Sequence, residues 1–282
     1  MIKKNVPTIA AVLGADVSKS RSPAIHEAAF RALGISGRYV AHSIEPDGKK
    51  FRALVQQLRA NGLRYLNVTI PHKIRAARLA NRRGSEVRVS GAANTLIFES
   101  AHRIRAENTD GYGLLAALAD LDFSPSGQTI VVIGAGGAAA GGVEALTRKG
   151  SYVILLARRI RAGRRLRSRL PAKQQRLVRV LGWEKSLEHE LKGAAALVSA
   201  VPAAAWDSDE RRNGLASLVK DAVVLEMAYG RPSLLAEAVR RRTDRYADGL
   251  GMLVHQAARA IELAMGEKPP LPPLFRAARR GT

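Results

Sequence analysis

A lysine and an aspartate set among hydroxyls and carboxamides are the reactive groups this sequence offers. Asn67, Thr69 and Lys73 fall in the run Asn67-Val68-Thr69-Ile70-Pro71-His72-Lys73, at the C-terminal end of an apolar strand. Open α/β sheets bind their ligands at that end. Asn94-Thr95 and Asn108-Thr109-Asp110-Gly111 occupy two further strand exits. Ser20-Arg21-Ser22-Pro23 precedes a helix, where Ser22 reads as an N-cap with Pro23 in the first turn. Ser20 has no such duty. An ammonium beside a carboxylate handles protons, and the carboxylate can hold and tune it. With neutral hydroxyls and amides around it, the pair suits a polyhydroxylated anion. Either charge alone would be an ordinary surface group.

A second constellation is built from glycine. Gly134-Ala135-Gly136-Gly137-Ala138 follows the apolar run Thr129–Ile133 and opens a helix. Gly134 permits a tight turn, Gly136 lets main chain approach a pyrophosphate, and the helix start supplies free N–H groups. The next strand, Tyr152–Leu156, ends at Ala157-Arg158-Arg159. A carboxylate there would bind the ribose 2′-hydroxyl of NAD. Two guanidinium groups suit the 2′-phosphate of NADP instead.

These residues need elements to carry them. Apolar runs predict strands over Val6–Gly14, Arg38–Ile44, Tyr65–Ile70, Thr129–Ile133, Tyr152–Leu156, Ala195–Ala200 and Ala222–Glu226. Helical spacing marks 23–33, 50–61, 74–83, 113–121, 161–169 and a long helix from Ala247 to Met265. Ala93–Phe98 and Ile104–Glu107 read as a hairpin. The first third alternates strand and helix, the pattern of a parallel-sheet α/β domain. Ser124-Pro125-Ser126-Gly127 marks a hinge. The Pro-rich segment after Met265 reads as a connector to a short basic tail.

Composition narrows the function classes. The 282 residues hold no cysteine, which excludes disulfides, thiolate metal sites and cysteine nucleophiles. The six histidines show no ligand spacing, so no metal is expected. No apolar run is long enough to span a membrane. The N-terminal stretch lacks a signal-peptide cleavage site, so a cytoplasmic location is the default. Formal net charge is +22. The excess is spread along the chain, apart from one dense run between Arg158 and Arg169, and aromatic residues are 5%. Nucleic-acid binding is therefore not expected as the main activity. The partners expected are small molecules, with the chain a monomer or homodimer.

The motifs together resemble the shikimate dehydrogenase family. The matching stretches are Ser20–His26, Asn67–Lys73, Gly91–Thr95, Asn108–Gly111, Gly134–Ala138 and Ala247–Gln256, which span nearly the whole chain. The resemblance implies two α/β domains. Residues 1–110, completed by 245–282, would form an N-terminal substrate-binding domain, and 111–244 a Rossmann-like dinucleotide-binding domain. It implies NADPH-dependent reduction of 3-dehydroshikimate to shikimate, a step of chorismate and aromatic amino acid biosynthesis, in a cleft between the domains. By position, Lys73 resembles the catalytic lysine and Asp110 its partner. Ser20, Ser22, Thr69, Asn94, Asp110, Tyr229 and Gln256 resemble the substrate contacts. Gly134, Ala135, Gly136, Gly137 and Ala138 resemble the pyrophosphate loop, Arg158 and Arg159 the 2′-phosphate grip, and Met227 and Gly249 the neighbours of the nicotinamide.

The departures gather on the cofactor side. Ser199-Ala200-Val201-Pro202 stands where the family has Asn-Ala-Thr-Ser, Ala157 where an Asn is usual, and Glu226 where an Asp is usual. The loop after Tyr229 is short. A relative acting on quinate or aminoshikimate, or one that binds without catalysis, is the competing expectation.

Overall fold

The computed structural model describes residues 7–182, 193–206, 222–230, 233–241 and 243–280. These divide into two compact units: one ends at Asp110 and resumes at Leu253, and the other runs from Gly111 to Met252.

The first unit holds a six-stranded sheet in the order β2-β1-β3-β5-β6-β4. Its strands are β1 (Thr8–Gly14), β2 (Arg38–Ser43), β3 (Tyr65–Val68), β4 (Arg82–Arg83), β5 (Thr95–Ser100) and β6 (Arg103–Glu107). Val6, expected in the first strand, lies outside the described residues. β1 pairs in parallel with β2 and β3, because helices α1 (Ser22–Ala32) and α2 (Gly48–Ala60) carry the chain back between them. The sheet is not wholly parallel, as the strand–helix alternation suggests. β5 runs antiparallel to both β3 and β6. The turn between β5 and β6 is too short for a crossover, and a short turn can only reverse the chain. The polar stretches at 94–95 and 108–110 are thereby brought together at one end of this hairpin. Helices α3 (Lys73–Leu79) and α4 (Ser85–Ser90) flank it. The core beneath is apolar, with Leu13, Phe51, Val55, Leu66 and Leu96 buried.

The second unit is a parallel sheet in the order β12-β11-β10-β7-β8-β9. It comprises β7 (Thr129–Ile133), β8 (Tyr152–Ala157), β9 (Val178–Gly182), β10 (Ala196–Ser199), β11 (Val223–Glu226) and β12 (Tyr246–Ala247). All five pairings are parallel. Read from β7, this is the doubly wound dinucleotide-binding order, whose switch point lies between β7 and β10. β7 is buried on both faces, which is why its sequence is an unbroken apolar run. Helices α5 (Asp110–Ala119), α6 (Gly137–Arg148), α7 (Ile160–Arg169), α8 (Ala172–Gln175) and α9 (Leu234–Val239) accompany it. β12 pairs with β11, so residues 246–247 join this sheet and not the C-terminal segment with which they were grouped from sequence.

Among the described residues two helices remain, α10 (Leu250–Met265) and α11 (Leu271–Arg280). The second replaces the expected basic tail. Pro272 and Pro273 sit in its first turn, where a missing N–H costs no hydrogen bond. Leu274 and Ala278 bury one face, and the Arg21 guanidinium donates to the Ala278 carbonyl.

Candidate active site

Lys73 begins α3, directly after the polar end of β3, and Asp110 begins α5. Lys73 Nζ lies 2.6 Å from Asp110 Oδ2, with side chains only 11% and 3% exposed. Burial makes this more than a surface pair: removing either partner would leave a charge shielded from water. A helix start also favours an acidic residue, so Asp110 is held by its helix as well as by Lys73. Gly111 fixes the position of that turn. Any side chain on it would meet the Gly141 carbonyl oxygen at 2.7 Å.

Asn94, 3% exposed, connects the remaining groups. Its Nδ2 faces Asp110 Oδ1 at 2.9 Å, Thr109 Oγ1 at 2.9 Å and Gln256 Oε1 at 2.7 Å. Its Oδ1 accepts from the Thr109 main-chain N–H (2.9 Å) and from Thr95 Oγ1 (3.0 Å). Thr95 Oγ1 accepts from Asn67 Nδ2 at 3.1 Å, and Asn67 Oδ1 accepts from the Tyr39 hydroxyl at 2.8 Å. Asn108 Oδ1 accepts from the Asp110 N–H. Lys73, Asp110, Asn94 and Gln256 thus form one hydrogen-bonded cluster, as the motifs lead one to expect. Sequence reasoning missed Tyr39. Its burial beneath Asn67, stacked on His26 at 4.1 Å, depends on the face β2 presents. Nothing local in the sequence signals that face.

The serine pair exchanges its expected duties. Arg21 is the N-cap of α1, and Ser22 is the first helical residue, buried. Ser20 Oγ accepts from the Ser22 N–H at 3.2 Å, so Ser20 satisfies a donor that the helix start would otherwise leave open. Thr69 follows β3 with its main chain tied to β1, its N–H donating to the Leu13 carbonyl. His72, beside Lys73, is buried and stacked on Phe51 at 4.9 Å. Burial lowers its pKa, which favours the neutral imidazole.

In the second unit Gly134 ends β7 with φ of +109°, a conformation that disfavours a side chain. A Cβ there would also meet the Ala200 carbonyl oxygen at 3.1 Å. Gly136, exposed, is the N-cap of α6, and nothing lies within 4 Å of where its Cβ would stand. Neither a capping side chain nor an acidic residue occupies this first turn. The Gly134 N–H is taken by the Leu156 carbonyl at 2.8 Å, and the turn beyond it, through Ala135, Gly136, Gly137 and Ala138, presents the open main-chain donors of a helix start, the arrangement that takes a phosphate. Arg158 and Arg159 stand exposed just beyond β8. This donor set fits a pyrophosphate and an added ribose phosphate.

Ser199 is fully buried and accepts from Trp206 Nε1 at 3.2 Å, so its hydroxyl is spent inside the sheet. Met227 and Gly249 are in contact: a side chain on Gly249 would strike the Met227 carbonyl, and the Gly249 N–H donates to Ala228. Tyr229, half-buried, lies on the same loop. Glu226 anchors that loop, accepting from Ser233 Oγ at 2.5 Å and from the Tyr246 hydroxyl at 2.8 Å. Burial and the neighbouring Glu226 carboxylate push the Tyr246 phenol well up, which keeps it a donor. Among the described residues no group of His, Asp and Glu is arranged to hold a metal, and no helix is long and apolar enough to cross a membrane.

Residues 12–96 match the family model described as the shikimate dehydrogenase substrate binding domain. The NADP(+)-dependent shikimate dehydrogenase of Dinoroseobacter shibae is 36% identical over 283 residues, covering 99% of each chain. That of Rhodopseudomonas palustris is 38% identical, covering 93% of this chain and 91% of its own. Among solved structures, shikimate 5-dehydrogenase of Thermus thermophilus in complex with NADP(H) and shikimate superposes with a TM-score of 0.80. It is 28% identical, over 97% of this chain and 99% of that one.

Proposed function

The chain belongs to the shikimate dehydrogenase family, and from that premise we propose that it reduces 3-dehydroshikimate reversibly to shikimate with NADPH. One observation carries the reading: the buried Lys73–Asp110 pair, joined through Asn94 to Gln256. NADPH, when bound, supplies the hydride that reaches the carbonyl carbon. Lys73 gives a proton to the carbonyl oxygen, and in the oxidative direction it withdraws that proton. Asp110 keeps the ammonium in place and takes a substrate hydroxyl on its carboxylate. Asn94 and Gln256 orient the ring through its hydroxyls, and Ser20 and Ser22, with Thr69 and Tyr229, hold its hydroxyl and carboxylate groups. Gly134 to Ala138 would hold the pyrophosphate and Arg158 and Arg159 the 2′-phosphate, with Met227 and Gly249 as the residues that would meet the nicotinamide. Rate enhancement comes from holding the reactants in place and from fixed charge at the reacting oxygen.

A spectrophotometric assay tests this. Shikimate with NADP should raise the nicotinamide absorbance, and quinate with NAD should raise it far less. Absence of turnover with shikimate and NADP, or equal turnover with quinate, would overturn the proposal.

A further inference from the structure

Helix α7 carries far more positive charge than a dinucleotide needs. Between residues 145 and 182 there are twelve lysines and arginines and no acidic residue. Elsewhere arginines find carboxylates: Arg148 pairs with Glu144, and Arg105 with Glu99 and Glu107. On α7 they do not. Only Gly163 and Leu166 of this helix are buried, while Arg161, Arg164, Arg165 and Arg167 are exposed. Lys173 and Arg176, just beyond it, are exposed too. Among the described residues no ion pair engages Arg161, Arg164 or Arg165. Like charges three and four residues apart destabilise a helix. Arg161, Arg164 and Arg165 bear that cost with no ion pair among the described residues to offset it. Its basic side chains run along a helix about 15 Å long, farther than a single phosphate reaches.

We propose that this face is a docking surface for inorganic polyphosphate, laid along α7 from its N-terminus. Arginine forks match phosphate oxygens in pairs of hydrogen bonds. Residues 153–182 contain no Phe, Tyr or Trp, so the face offers no aromatic ring on which nucleobases stack. A polymer of bare phosphate needs none. The helix start adds open N–H groups, with no acidic residue in the first turn. A polymer on this face also reaches Arg158 and Arg159. It therefore competes with NADP, a consequence that rests on the 2′-phosphate role given to those two residues above.

Binding of a labelled short polyphosphate, followed by fluorescence anisotropy at about physiological salt, tests the surface directly. The wild-type chain should bind. The triple variant Arg161→Gln/Arg164→Gln/Arg165→Gln should bind at least tenfold more weakly, with kcat and both KM values within twofold of wild type. The matching triple lysine variant, which keeps charge but loses the fork, should fall between. No binding, or equal binding by the glutamine variant, overturns the proposal. Tighter binding of an RNA of equal charge overturns it in favour of a nucleic acid. Equal binding of polyglutamate shows that phosphate is not recognised. Polyphosphate should also raise the KM for NADP. If it binds α7 without doing so, the role of Arg158 and Arg159 fails while the docking surface stands.

Discussion

In the first unit the polar site is made of side chains that bond one another; in the second, the anion-receiving turn is made of main chain. Lys73, Asp110, Asn94 and Gln256 each depend on the others, and the cluster continues inward through Thr95 and Asn67 to Tyr39. Changing one alters several. The turn at Gly134 needs a backbone shape and an open helix start, and Arg158 and Arg159 stand at an exposed strand end. Such a region accepts substitution around it. The contrast accounts for where this chain departs from its family: the polar motifs of the first unit stand nearly intact, while residues 199–202 and 226 differ. Buried Ser199 and the Glu226 anchor show how the second unit absorbed those changes, by turning polar atoms into the sheet and the loop.

The contrast breaks most visibly at Lys73. Lys73→Ala should lower kcat by about 10²–10⁴-fold, the usual worth of a positioned proton donor. The KM for shikimate should change little, because the lysine acts mainly in the transition state. Steady-state kinetics decide it, and near-normal turnover would remove Lys73 from the chemistry. On the other side, Arg158→Ala should raise the KM for NADP by about 10–100-fold, matching the loss of one or two charge-assisted hydrogen bonds. NAD should be used as before. Equal losses with both cofactors would show that Arg158 does not read the 2′-phosphate.

Acid sharpens the contrast, because the first unit rests on a neutral buried histidine. Burial depresses His26 from 6.5 to about 3, so the unfolded chain takes up its proton first as pH falls. Stability from this group is complete above pH 6.5 and is lost progressively toward pH 3, at about 1.4 kcal/mol per pH unit. Denaturant titrations of wild type and His26→Phe should diverge below pH 6.5, with the variant less acid-sensitive. Parallel curves would mean His26 is not neutral in the folded chain. The smallest effect on stability belongs to Ser20→Ala, which removes one helix-start acceptor and should cost about 1 kcal/mol or less. As a substrate contact its loss should also raise the shikimate KM several-fold, and an unchanged KM would leave Ser20 with the helix start alone.

The sequence made the second unit's core legible because β7 is buried on both faces and ends at a glycine. An unbroken apolar run followed by that residue admits few other readings. The polar cluster of the first unit is legible for a related reason: polar groups at strand exits have no packing role to explain them. Other features depend on tertiary context. The β5–β6 hairpin is legible in the sequence, but the antiparallel pairing of β5 with β3 is not, because it depends on the strand order of the sheet. α11 begins with prolines, which break a helix anywhere but its first turn, and its helicity comes from burying Leu274 and Ala278. Tyr39 lies on a strand whose inward face is set by pairing with β1. The duties of Ser20 and Ser22 turn on a one-residue shift in where α1 begins.

The Asn94 amide nitrogen has two hydrogens and three oxygens waiting for them, on Thr109, Asp110 and Gln256. The Thr109 hydroxyl also carries a hydrogen of its own, 3.3 Å from Asn94 Oδ1, so it can turn to donate and leave both amide hydrogens to Asp110 and Gln256. An alcohol entering here trades hydrogen bonds with a group that can switch between giving and taking. A ring stripped of that hydroxyl makes no such trade, so one carboxamide and its neighbour bear on the discrimination between a hydroxylated ring and its deoxygenated analogue.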